Sequence, residues 1–291
     1  MRRIHPLPTI LTLANLCSGF VAIVLAARSL LPKHPPIHPF GAVEGADLLW
    51  VACYCVFIAM IFDMLDGKVA RMTGSASHFG AELDSLADVV SFGIAPAVIL
   101  SVSRMHVEPA GEHWWSMAIC MGFVYAACAA LRLARFNVES DTTAKDTFRG
   151  LPSPGAAGAV TGVFLLVHDS DLRPVIDELL GGMTIHLLAL YMLFIGLLMV
   201  TRVRYAHVTN QLLNGRKRFT HIVIALFALV LLWRYPAWVL AGAFNLYALG
   251  GVAGGVVRRA RIWAHMIKTR RWRERRDERQ ASESGPTEDH S

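Results

Sequence analysis

Charge is scarce in this chain. Only 17% of its 291 residues are Asp, Glu, Lys or Arg, while 54% are hydrophobic and the mean hydropathy is +0.44. A water-soluble domain of this length carries roughly 25% charged residues, so the shortage excludes one soluble globular domain and points to a membrane. Cysteine is sparse as well. Cys17, Cys53, Cys55, Cys120 and Cys128 all fall in apolar stretches with no Cys/His zinc spacing, which excludes a disulfide scaffold and a structural zinc site and leaves small packing residues. No internal repeat and no Walker-type phosphate loop occurs, so neither a solenoid nor a P-loop nucleotide site is expected.

What the chain does have is recurrent apolar runs. Crossing about 30 Å of hydrocarbon takes roughly 20 residues as a helix, and eight candidate spans are read at 9–31, 46–66, 83–103, 114–134, 153–168, 183–200, 220–233 and 236–257. The fifth and seventh are short, and Tyr235-Pro236 is either a hairpin between two helices or a kink in one. The expected fold class is an all-α polytopic membrane bundle of about eight transmembrane helices. The first stretch has a signal-like look, with Arg2 and Arg3 before it and Ala26 and Ala27 near its end. Its run is longer than a signal core and contains Asn15 and Ser18, so a retained helix is the expectation.

Placing Lys and Arg on alternate sides of an eight-span arrangement puts 23 of the 28 on the side of the N-terminus. By the positive-inside rule that side, with both termini, is cytoplasmic. Residues 1–257 form the expected membrane domain and 258–291 a basic, disordered cytoplasmic tail. The tail's run Lys268-Thr-Arg-Arg-Trp-Arg-Glu-Arg-Arg276 either anchors the topology or, with Trp263 and Trp272, holds anionic headgroups of membrane lipids. A basic segment so close to a bilayer is not expected to bind nucleic acid.

The chemistry-bearing segment is Asp63-Met-Leu-Asp66-Gly67-Lys-Val-Ala70-Arg71, followed by Gly80-Ala-Glu-Leu-Asp84-Ser-Leu-Ala-Asp88. Asp63 and Asp66 are three apart at the end of one apolar helix, and Asp84 and Asp88 four apart at the start of the next, so each pair projects from one face. A turn at Thr73-Gly-Ser-Ala-Ser77 makes the helices antiparallel and lets the pairs converge. Four carboxylates gathered in a membrane repel one another unless a cation compensates them. All-oxygen ligands suit Mg²⁺ or Mn²⁺, which bridge carboxylates to phosphates. Gly67 and Gly80 leave room for a nucleotide or phosphate beside the acids, and Arg71 offers a planar cation. The competing reading is structural: ion pairs with Lys68, Arg71 and Arg135 that hold helices together.

The pattern D-x2-D-G-x2-A-R-x8-G-x3-D-x3-D, filled at every fixed position by Asp63, Asp66, Gly67, Ala70, Arg71, Gly80, Asp84 and Asp88, resembles the signature of the CDP-alcohol phosphatidyltransferase family. That resemblance implies a six-helix membrane core, a homodimer, a CDP-linked lipid substrate, a divalent metal and release of CMP. It implies that Asp63, Asp66 and Asp84 hold metal, with Asp88 as general base and a further contact to metal. Gly67, Ala70, Arg71 and Gly80 would line the CDP site, joined by Thr12 and Asn15 from the first helix; from their chemistry alone those two are equally interhelical hydrogen-bonding groups.

Further segments choose the acceptor. Pro8-Thr-Ile-Leu-Thr12-Leu-Ala-Asn15-Leu-Cys-Ser-Gly19, Ser91-Phe-Gly93-Ile-Ala-Pro96, Leu131-Arg132-Leu-Ala-Arg135-Phe-Asn137 and Phe148-Arg-Gly150-Leu-Pro152-Ser153-Pro154 resemble the bacterial serine-using branch of that family. The implied reaction moves the phosphatidyl group of CDP-diacylglycerol to the hydroxyl of L-serine, in the inner membrane, with the active site cytoplasmic. Arg132 and Arg135 either hold a lipid diphosphate or the serine carboxylate, or anchor the topology. Asn137 and Ser153 either touch polar substrate groups or serve as cap and turn residues. Ser91 to Pro96 either makes room for an acyl chain or kinks a helix. Other acceptors, glycerol 3-phosphate or an inositol phosphate, are the nearest alternative, and a cation transporter is a remote one.

Overall fold

The computed structural model describes residues 6–31, 45–74, 77–107, 117–140, 150–169, 172–180, 183–201 and 218–283, and every regular element among them is helical. In chain order these are α1 (Pro6–Arg28), α2 (Gly45–Met72), α3 (His78–Asp88), a π-helical segment (Val89–Ile94), α4 (Ala95–Val107), α5 (Met117–Ser140), α6 (Ser153–Val167), α7 (Arg173–Leu180), α8 (Thr184–Val200), α9 (Arg218–Arg234) and α10 (Pro236–Glu283). Five stretches are long and apolar enough to cross a bilayer: Leu7–Arg28, Leu48–Met72, His78–Ser103, Met117–Val138 and Pro236–Gly255. Ser153–Val167 and His186–Val200 are shorter apolar helices. The protein is an all-α polytopic membrane bundle.

All eight apolar stretches read from the sequence fall on helices, with shifted ends. The most consequential shift is in α2, which continues to Met72, so Asp63 and Asp66 lie inside a helix rather than at its end. The short α7 was not anticipated; at 8 residues it is invisible to a search for spans. The helical backbone of α10 runs to Glu283, across the boundary at 257 where a disordered tail was expected. The Arg, Glu, Gln and Ala of that stretch are good helix formers, and local hydrogen bonds need no apolar partner. Residues 284–291, the charged side chains of the basic run, Phe148-Arg149 and Ser75-Ala76 lie outside the described residues. Only Tyr235 separates α9 from α10, and Tyr235 N–H to Leu231 O and Val239 N–H to Tyr235 O carry the hydrogen bonding up to and past it. Pro236, with no N–H to give, takes the first position of α10, where none is needed.

The chain forms two compact units, Met1–Ala248 and Leu249–Ser291. In the first, α1 lies along α2 and also meets α3, the π-helical segment and α4, while α5 packs on α4, the π-helical segment and α8. α6 sits among α2, α4, α8 and the π-helical segment. Its sequence is mostly Gly, Ala, Ser, Thr and Val, and it is buried along nearly its whole length, as close packing of membrane helices demands. Large apolar side chains such as Phe20, Ile61, Leu86, Phe123 and Leu131 point outward, toward lipid rather than water.

The Ser91 to Pro96 stretch neither simply opens space nor simply kinks. It straddles the end of the π-helical segment and the start of α4, where Ala95 N–H reaches back five residues to Val90 O. Pro96 cannot donate to the carbonyl of Phe92, four residues earlier; the buried Tyr125 hydroxyl of α5 donates to it instead, at 3.0 Å. Ser91 Oγ donates to the carbonyl of Asn15 at 3.0 Å. There α1 crosses so closely that a Cβ on Gly19 would lie 2.7 Å from Ser91 Cα.

Candidate active site

The chain reverses between Met72 and His78, and Ser77 starts α3 as an N-cap whose Oγ accepts from Gly80 N–H at 3.0 Å. This reversal brings the two aspartate pairs together. Asp63, Asp66 and Asp84 each offer a carboxylate oxygen, and these oxygens lie within 4.8 Å of one another. Asp66 is 4% exposed and Asp88 6%. Oδ2 of Asp66 and Oδ1 of Asp84 are buried with no hydrogen-bond partner.

Among the described residues no Lys or Arg comes within ion-pair distance of any of the four; the ion pair present, His78–Glu82, lies on the exposed face of α3. The ion-pair alternative with Lys68, Arg71 and Arg135 therefore has no support in the geometry. Buried carboxylate oxygens left unpaired and facing like charge are costly. A set of hard oxygen donors in this state fits a hard divalent cation.

From α1, Asn15 Nδ2 donates to Asp88 Oδ1 at 3.2 Å, and the Thr12 hydroxyl donates to Pro8 O of its own helix at 3.1 Å. Both were expected against the CDP moiety or as interhelical hydrogen-bonding groups; here Asn15 bonds a carboxylate on another helix and Thr12 a backbone carbonyl on its own. Asn15 is fully buried, its side-chain Oδ1 free and its backbone carbonyl taken by Ser91. Beside the acids, a Cβ on Gly67 would meet nothing within 4 Å, which leaves open space along α2. Ala70 is half-buried and Arg71 exposed on the same stretch. Gly80 is tied to the cap, since a Cβ there would stand 3.2 Å from Ser77 Oγ.

The family model of the CDP-alcohol phosphatidyltransferases matches residues 5–203, the segment that holds α1 through α8 and all four aspartates. The chain belongs to the CDP-alcohol phosphatidyltransferase family. It is 33% identical over 202 residues to the CDP-diacylglycerol–serine O-phosphatidyltransferase of Helicobacter pylori, covering 69% of this chain and 78% of that protein. It is 31% identical over 212 residues to the enzyme of the same name from Methanocaldococcus jannaschii, covering 73% and 79%. To the archaetidylserine synthase of Methanothermobacter thermautotrophicus it is 31% identical over 207 residues, covering 70% and 71%.

In this CDP-alcohol phosphatidyltransferase the two arginines paired by the sequence part company. Arg132, on α5, is buried; its Nη1 donates to Ser153 Oγ at 3.1 Å and its Nε has no partner. Asp88 and Asp63 are its electrostatic neighbours, beyond ion-pair distance. Arg135 instead sends Nη1 to Val200 O at 3.3 Å, where a cation suits the carbonyl end of α8.

Ser153, open in the sequence between a substrate contact and a cap or turn residue, is 1% exposed and anchors Arg132. The turn before it explains why. Gly150 adopts φ +91, a Cβ there would run into the Met199 carbonyl, and Leu151 N–H donates to Leu198 O at 3.3 Å. That fixes the start of α6 against the end of α8. Asn137 Nδ2 donates to Ser85 Oγ at 3.1 Å and to Glu82 Oε2 at 3.4 Å, tying α5 to the helix of Asp84 and Asp88. The Tyr247 ring of α10 lies on Gly155 of α6; nothing in its sequence surroundings except hydropathy marked it.

Proposed function

We propose that this protein transfers the phosphatidyl group of CDP-diacylglycerol to the hydroxyl of L-serine, giving phosphatidylserine and CMP. The observation that carries this reading is the convergence of three aspartates, two of them with a buried, unpartnered oxygen, near the buried Arg132. The names of the relatives supply the acceptor. A divalent cation, Mg²⁺ or Mn²⁺, would be held by Asp63, Asp66 and Asp84, with Asp88 adjoining, and would supply Lewis-acid stabilisation of phosphate charge.

The chain's own residues do the rest. Open space beside Gly67 admits the CDP moiety along Ala70, Arg71 and Gly80, while the acyl chains stay among membrane lipids. Asp88, oriented by Asn15, takes the proton of the serine hydroxyl. The serine oxygen bonds to the lipid-attached phosphorus as the bond from that phosphorus to CMP breaks. Arg71 meets charge growing on the departing CMP. Arg132, locked by Ser153, receives the serine carboxylate. A phosphorylated acceptor carries more negative charge and calls for more cations, and among the described residues Arg132 is the buried arginine near the acids.

The reading places the enzyme in the bacterial inner membrane as a homodimer, with 1–257 as the membrane domain, 258–291 as a cytoplasmic tail, and termini and active site on the cytoplasmic face. The lysine and arginine distribution supports the orientation, and the family resemblance supports the dimer. The test is incorporation of labelled L-serine into extractable lipid by purified protein with CDP-diacylglycerol. Labelled lipid formed only when CDP-diacylglycerol is present is the expected result; labelled glycerol 3-phosphate incorporated in place of serine would refute the acceptor assignment.

A further inference from the structure

The family match ends at residue 203, and the chain beyond it has a charge pattern of its own. Between Glu178 and Glu274 there is no acidic residue, and from Phe219 to Val257 Arg234 is the only Asp, Glu, Lys or Arg. A cation in so apolar a stretch calls for an anion or water. Arg234 closes α9, and Pro236 opens the 20-residue apolar span Pro236–Gly255. At roughly 1.5 Å per residue that span covers about 30 Å, the thickness of the hydrocarbon layer. Arg234 therefore stands just outside it, at the depth of lipid headgroups. Among the described residues no carboxylate pairs with it.

Its surroundings suit an amphiphile. The guanidinium lies over the Tyr235 ring, 4.5 Å from the centroid, where cation–π attraction holds it. Tyr235 is also one wall of a groove of about 510 Å³, lined among the described residues by Leu231, Trp238 and Val239 as well. A space of that size takes a small apolar ligand. Leu231, Tyr235 and Val239 are four apart and share one helical face; Tyr235 N–H to Leu231 O and Val239 N–H to Tyr235 O carry that face through the junction. Trp233, Tyr235 and Trp238 are exposed, as aromatic residues at the edge of the hydrocarbon are. Residues 226–230 of α9 are all exposed too, and they are apolar, so lipid rather than protein surrounds them. A stacked cation at headgroup depth thus adjoins a groove that holds no charge.

We propose that Arg234, Tyr235 and this groove form a binding site for an anionic phospholipid, with its phosphate on the Arg234 guanidinium and an acyl chain along Leu231, Trp238 and Val239. Charge decides the lipid class. A guanidinium binds the phosphate of any phospholipid, but a zwitterionic headgroup brings a cation of its own to a place where the chain offers no carboxylate. A net negative headgroup neutralises Arg234 and leaves nothing over.

The experiment is native mass spectrometry of the full-length protein in detergent, titrated with phosphatidylglycerol or with phosphatidylcholine of the same acyl chains. Wild type is compared with Arg234→Gln, Val239→Trp and Arg28→Gln. Arg28 also ends an apolar helix and is exposed, so its variant removes the same charge elsewhere. Arg234 is exposed and its replacement leaves the fold intact. Wild type is expected to bind phosphatidylglycerol more tightly than phosphatidylcholine. Arg234→Gln should weaken phosphatidylglycerol about tenfold or more, as for the loss of a hydrogen bond between charged groups, and bring it level with phosphatidylcholine. Val239→Trp keeps the cation and fills the groove, and should weaken both lipids. Arg28→Gln should stay within about twofold of wild type, the loss of a solvated charge. If Arg234→Gln binds phosphatidylglycerol as tightly as Arg28→Gln does, the lipid sits on the basic run or on no fixed site, and the proposal is overturned. Equal binding of the two lipids by wild type overturns it as well, as does unchanged affinity in Val239→Trp.

Discussion

Asn15 on α1 donates its side-chain amide to Asp88 on α3 at 3.2 Å, across 73 positions of sequence. Asn15 is held by its own backbone carbonyl, which Ser91 binds from the π-helical segment, so the first helix and the helix of Asp88 are locked at one point. Asn15 therefore orients Asp88, the proposed general base. Asn15→Ala is expected to lower kcat about tenfold, near the loss of one hydrogen bond to a charged group, with the CDP-diacylglycerol KM little changed. Steady-state kinetics checks this; a raised KM at unchanged kcat would instead make Asn15 a nucleotide contact.

Asp88 and Asp66 differ in their surroundings, and their variants should differ in kind. Asp88→Asn is expected to lower turnover by about 10²- to 10⁴-fold if Asp88 is the proposed general base, while metal and CDP-diacylglycerol still bind. Asp66→Asn removes the buried member of the acidic trio and should weaken metal binding itself. Calorimetric titration of Mn²⁺ and CDP-diacylglycerol into each variant separates the two, and equal loss of binding in both would defeat the division of roles.

Two glycines give a paired test of function against fold. A Cβ at Gly67 meets open space, whereas one at Gly19 collides with the backbone of Ser91. Gly67→Ala should leave thermal stability unchanged or slightly higher, since alanine is favoured over glycine in a helix by roughly 0.5–1 kcal/mol, and yet raise the CDP-diacylglycerol KM by filling the nucleotide's space. Gly19→Ala should destabilise the protein by roughly 1–3 kcal/mol through overpacking. Melting in detergent alongside kinetics distinguishes them.

The acidic motif and the apolar runs were legible because each is local. Spacings of three and four fix one helical face, and a polar turn between two spans fixes their reversal, so Asp63, Asp66, Asp84 and Asp88 could be brought together without coordinates. The rest depended on contacts between distant segments. Arg132 and Arg135 look equivalent at three-residue spacing, and only the packing of α6 and α8 sends one to Ser153 and the other to Val200. The π-helical segment depends on Tyr125 supplying the hydrogen bond that Pro96 withholds. Tyr247 carries no motif at all, and its place is set by glycines on another helix. The extension of α10 to Glu283 was masked because hydropathy reports membrane spans, whereas helix propensity continues past the bilayer.

Removal of divalent cations follows from the buried trio. Chelation with EDTA is expected to abolish CMP release, and Mg²⁺ or Mn²⁺ in excess to restore it, since without a cation the unpartnered oxygens of Asp66 and Asp84 face like charge. Full activity in chelator would contradict the metal assignment.

The most direct test of the account is CMP release by purified protein with CDP-diacylglycerol and Mg²⁺ or Mn²⁺, comparing L-serine, glycerol 3-phosphate and inositol phosphate in wild type and Asp88→Asn. The account predicts release with serine alone, lost in Asp88→Asn; release driven only by a phosphorylated alcohol, or release with serine that survives in Asp88→Asn, would contradict it.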